Sequence, residues 1–171
     1  MDQTVTVVLR FIHIVSGVAW AGAVFLMVGF VLPSVREAGP AGGRFMQAMQ
    51  RRKLPVFINA AAGLAMLSGF ILYGRLVAAS DGAWAGTPAG MTFGIGAVAT
   101  ILAAIIGGAI VGRGSERLGK LGERVQASGA APSPEQAAEM SRLQARVAKA
   151  ARVVAGLLFV AVTAMAIARY V

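Results

Sequence analysis

An all-α bundle of four membrane-spanning helices is the fold class this sequence predicts, and three observations carry it. Four apolar segments, near residues 5–32, 54–77, 91–112 and 153–171, each have the roughly 20 residues that a helix needs to cross a bilayer. The chain of 171 residues is 57% hydrophobic with a mean hydropathy of +0.73, beyond the usual range of a soluble domain. The cations gather in two of the three connections between the segments. The length suits one integral membrane domain over residues 1–171 and leaves no room for a second.

The first segment has only Arg10 and His13 as ionisable side chains, and Pro33 is expected to stop it. Ala19-Trp20-Ala21 fits a small-x-small cleavage pattern, but Asp2 precedes the nearest cation and the apolar run continues to Leu32. That run is too long for a signal core, so it is read as the first span. The second segment follows Arg51-Arg52-Lys53, with Pro55 in its first turn, where a missing N–H costs little.

The third connection, residues 113–152, is more than linker. Leu118, Leu121 and Val125 repeat at spacings of three and four, which extends the third helix beyond the bilayer with an apolar stripe. Gly114, Gly119 and Gly122 weaken that helix, and residues 128–132 break it. Ser133, Pro134 and Gln136 fit an N-cap, N1 and N3, so a new helix starts there and runs into the fourth span. The outcome is a cytoplasmic extension of helices three and four as a hairpin. Met46 and Met49 share a face of the first connection with Phe45 nearby. They are expected to lie in lipid beside the cations.

Orientation follows from charge. The first connection carries Arg36, Arg44, Arg51, Arg52 and Lys53 against Glu37, the second only Asp81, and the third eight cations. The positive-inside rule sets connections one and three in the cytoplasm of a bacterial-type inner membrane, with both termini outside. Tyr73, Trp84 and Tyr170 then fall at the outer boundary, where amphipathic rings prefer to sit. The net charge of +9 is explained by topology and anionic headgroups, not by nucleic acid.

Chemistry narrows to few residues. With no cysteine, disulfides, thiolate metal sites and iron–sulfur clusters are excluded. The spans contain no acidic residue in their interiors, which argues against a carboxylate proton relay. His13 is the only histidine and lies about 12 Å inside the membrane by helical rise. Arg10, His13, Gly17 and Trp20 recur at spacings of three and four on one helix face. Gly17 makes a dent one turn from His13 that a flat ligand or a second helix could enter. Level with His13 are Met66, Ser68 and Gly69 on helix two, residues 97–100 on helix three, and Thr163 and Met165 on helix four. An imidazole with a thioether opposite is a known haem iron ligation, so Met66 and Met165 are candidate sixth ligands. Packing residues at an interhelical contact are the plain alternative for all of them. Two histidine ligands would require a symmetric homodimer.

Phe11-Ile12-His13, then Trp20-Ala21-Gly22, then Leu32-Pro33 resemble the first span of the CopD-like and HemJ-like membrane proteins, small four-helix bundles. Arg51-Arg52 before Pro55, Ser68-Gly69-Phe70, and the terminal Ala168-Arg169-Tyr170 are similar too. The resemblance implies haem b at His13, which is also the metal-ligating residue. Its HemJ branch implies porphyrin oxidation, and its CopD branch copper handling. The expected function is therefore a haem-b-associated integral membrane protein serving electron transfer or porphyrin oxidation. The alternatives are a non-catalytic subunit packed against a larger membrane complex, and metal handling. Whether the chain is an enzyme stays open at this point.

Overall fold

A computed structural model describes residues 3–171, and Asp2, used above in the leader argument, lies outside them. Every regular element among the described residues is helical. We label α1 Gln3–Glu37, α2 Pro40–Arg51, α3 Leu54–Ala78, α4 Pro88–Ser128 and α5 Pro134–Tyr170. All but α2 are long and apolar enough to cross a membrane.

The helices pack as two antiparallel pairs, α1 with α3 and α4 with α5, and the pairs touch each other sparingly. The core where they meet is small: Trp20, Ala61, Ala65, Ala103, Val154 and Leu158. Alanines dominate it, as expected where helices approach closely without hydrophobic drive from water. The large side chains point outward instead, among them Phe11, Ile14, Val18, Leu67, Ile95 and Phe159. An outward apolar surface of this kind suits lipid.

Pro33 does not end α1. The helix passes through a π-helical stretch, Met27–Val31, and resumes as an α-helix over Leu32–Glu37. A proline ring clashes with the carbonyl four residues back and offers no N–H. The wider π turn just before it absorbs that mismatch. The break comes at Gly39, whose φ of +55° favours glycine, and Pro40 opens α2. A second turn at Lys53, also with positive φ, leads into α3.

The third helix is continuous despite its glycines, again through a π-helical stretch, Gly107–Gly112. It stops at Gly129, with φ of +65°. Ser133 then caps α5 as the sequence predicts. Its hydroxyl accepts from Gln136 N at 3.2 Å, and Gln136 Oε1 accepts from Ser133 N at 2.9 Å. From there α5 runs unbroken.

Glycines read above as weak points in α4 are contact points. A Cβ at Gly114 would collide with the Val147 side chain. One at Gly119 would stand 2.6 Å from Gln50 Oε1, and one at Gly122 would stand 3.1 Å from Gln47 Nε2. Gln50 Nε2 donates to Ser115 O at 3.2 Å. So α2 docks on the extension of α4 by a polar edge. Met46 and Met49 consequently face inward and only Phe45 stays well exposed, which corrects the lipid-facing placement of the two methionines.

The two ends of the bundle differ. Connections one and three carry thirteen of the sixteen cations and five of the seven acids, and they form the basic end. At the other end Trp84 meets Tyr73 edge-on, with ring centres 5.3 Å apart, and Phe93 at 5.9 Å. Arg169 stacks 4.7 Å above Tyr170 there.

Candidate functional site

His13 is held by α3. A carbonyl oxygen can only accept, so the 2.8 Å contact between His13 Nδ1 and Ala65 O puts the proton on Nδ1. In the neutral ring the lone pair then sits on Nε2. Ser68 Oγ stands 3.5 Å from Nδ1 and donates to its own helix at Leu64 O, 2.5 Å away. The ring rests on Gly69, where a Cβ would come within 2.8 Å of Cε1 and 3.8 Å of Nε2. Ser68 and Gly69 are two of the three α3 residues counted as level with His13 from the sequence; the third, Met66, turns to the Trp20 core instead.

Nε2 has no hydrogen bond among the described residues, and it is not enclosed. One turn along α1, a Cβ at Gly17 would meet nothing within 4 Å. Arg10 lies further out and exposed. Trp20, two turns the other way, is 5% exposed and belongs to the core between the pairs.

The two methionines separate. Met66 packs against the Trp20 core. Met165 lies on the other pair, with its Cγ 3.5 Å from the position of a Gly96 Cβ. Among the described residues, no cluster of three or more His, Cys, Asp and Glu could hold a metal.

A cleft of about 860 Å³ opens between the helix pairs toward the basic end. Trp20 and Met66 form part of its wall, while His13, Gly17 and Met165 do not. Met27, Met46, Met49 and Met66 all border it, which is half of the chain's eight methionines. Thioether side chains adapt to irregular apolar shapes. Both π-helical stretches contribute to its walls, through Met27 and Val28 on one side and Gly107, Gly108 and Val111 on the other. Arg113, Glu116, Lys120 and Glu123 border its mouth, and Lys120 Nζ pairs with Glu116 at 2.6 Å. That ammonium holds the Glu116 carboxyl below the usual carboxylate range. Asn59 stands in the cleft wall, with no hydrogen bond to a neighbouring helix among the described residues.

Sequence reasoning missed this cleft because its signals are dispersed. The spacing Gly114, Gly119 and Gly122 opposite Gln47 and Gln50 could have shown that α2 folds back on α4. Arg75 was also overlooked. It sits in the last turn of α3, and its Nη1 is buried without a hydrogen-bond partner. No protein-family model, no curated protein and no solved structure matches this chain.

Proposed function

We propose that this protein is a haem-b-associated membrane protein in which His13 Nε2 would hold the iron. The observation that carries the reading is the hydrogen bond from Nδ1 to Ala65 O. Metal-bound histidines almost always donate their other ring N–H to a carbonyl or carboxylate, which fixes tautomer and ring orientation. Three further features support the reading: Nε2 has no hydrogen bond among the described residues, Gly69 seats the imidazole, and Gly17 leaves space one turn away. When bound, the iron would supply one-electron chemistry. The chain's own part is to fix the imidazole and to keep the ligand in an apolar setting. Electron transfer is the role that needs nothing more of the protein. Because the chain has one histidine, a second imidazole for the same haem would come from a second copy, and so from a homodimer.

Charge supports the orientation. The basic end belongs in the cytoplasm and both termini outside, as expected for a bacterial-type inner membrane. The aromatic cluster of Tyr73, Trp84 and Phe93 then lies at the outer interface.

The test is haem titration of the purified protein in lipid nanodiscs. Wild type should take up haem saturably and show a Soret band, and His13→Ala should lose it while remaining folded. A wild-type protein that takes up no haem makes His13 an interhelical hydrogen-bonding residue. The chain would then be a non-catalytic membrane subunit.

A further inference from the structure

We infer that the cleft between the helix pairs is a binding site for one anionic membrane lipid, drawn from the leaflet at the basic end. This inference stands apart from the haem reading, because His13 is not in the cleft wall.

Four features carry it. The cleft volume of about 860 Å³ lies in the range of small-ligand sites, ~300–1,000 Å³. Its deep part is apolar, formed by Trp20, Ile58, Met66 and Ala103, and suits hydrocarbon. Its mouth is polar and lies at the end of the molecule with thirteen cations and five acids. The only ion pair among the described residues is Lys120–Glu116, so Arg113 at the mouth has no acidic partner. An apolar shaft ending at an unpaired guanidinium matches a lipid with an anionic head. Glu123 also borders the mouth, ten residues and so about 15 Å of helical rise along α4 from Arg113.

The backbone adds an independent pointer. Each wall carries a π-helical stretch, a local irregularity that is rare and gathers at functional sites. In α4 it coincides with Gly107 and Gly108, where an added Cβ meets nothing within 4 Å. Both residues line the cleft, so the missing side chains keep it open.

The two tryptophans make the test direct. Trp20 lines the cleft and Trp84 belongs to the opposite end. Haem-free Trp84→Phe protein, reconstituted in zwitterionic nanodiscs, would be titrated with brominated phosphatidylglycerol and separately with brominated phosphatidylcholine. Trp20 fluorescence should fall saturably at low mole fractions of the anionic lipid, and only in proportion to lipid content for the zwitterionic one. Gly107→Leu, which fills the cleft, should abolish the saturable phase, and Gly63→Leu on the opposite wall provides a second blocking variant. Arg113→Gln should weaken the anionic preference by roughly fivefold, the equivalent of about 1 kcal/mol per basic residue at an anionic surface. Equal, non-saturable quenching by both lipids, unchanged in both leucine variants, would overturn the proposal. Saturable quenching with no anionic preference would overturn its headgroup half.

Discussion

Gly69 is the seat of the His13 ring: a Cβ there would lie 2.8 Å from Cε1 and 3.1 Å from Nδ1. The imidazole reaches Ala65 O only because α3 presents no side chain at that point. Gly69→Ala is therefore expected to push the ring away and break the hydrogen bond. Overpacking of this kind costs about 1–3 kcal/mol, to be read as a lower thermal midpoint in detergent. Alanine scanning of the α1–α3 seam should show position 69 as more sensitive than position 17, where a Cβ meets nothing. Equal tolerance at both positions would contradict the packing described here.

The contact of α2 with α4 is the second test. Gly119→Leu should displace Gln50 and release α2, because the leucine would occupy the space of the Gln50 amide. Hydrogen exchange over residues 40–51 should quicken in this variant, while α3 remains protected. Unchanged exchange would mean that α2 is held by lipid alone.

The cap of α5 gives a test at the basic end. Ser133→Ala removes one side of the capping box and should cost about 1 kcal/mol locally. The backbone N–H of Glu135 and the Ser133 hydroxyl, which donates to Glu135 Oε2 at 2.8 Å, hold the Glu135 carboxyl below its usual range. A depressed carboxylate stabilises the fold above its unfolded pKa of about 4.3, and that support is lost as pH falls through the lower folded value. Protection factors over residues 135–138, corrected for the intrinsic exchange rate at each pH, should accordingly fall at acid pH in wild type and respond less in Ser133→Ala.

Arg75 offers a stabilising change. Its buried Nη1 lacks a partner, and an unsatisfied buried donor costs about 1–3 kcal/mol. Arg75→Met keeps much of the packing and removes the orphan, so the thermal midpoint should stay level or rise. A marked fall would show that the guanidinium has a partner in the membrane.

Orientation is checked with cysteines at Ser80 and Ser128 in intact cells and an impermeant thiol reagent. Position 80 should be labelled and position 128 should not. The reverse pattern would invert the topology.

What the sequence reveals divides by range. The capping box at Ser133 is legible because its partners lie three residues apart. The four spans are legible because apolar length alone marks them. Ser68 and Gly69 opposite His13 follow from counting helical rise inward from the same interface. The stop expected at Pro33 fails because a π turn, set by neighbouring backbone, absorbs the proline. The glycines of α4 mislead when read as local helix breakers, since Val147, Gln47 and Gln50 give them their purpose from distant parts of the chain. The cleft needs two helix pairs that touch sparingly, at Trp20 and its neighbours and where Tyr73 meets Gly94, a packing relation that no periodicity encodes.

The most direct measurement of the role given to His13 is resonance Raman spectroscopy of the ferrous, haem-loaded protein. An iron–histidine stretching band should appear in wild type if the ferrous haem is five-coordinate, and low-spin marker bands if it is six-coordinate; either signature should vanish in His13→Ala and return on adding imidazole to that variant. A haem-loaded His13→Ala spectrum identical to wild type, or a wild-type protein that holds no haem, would contradict it.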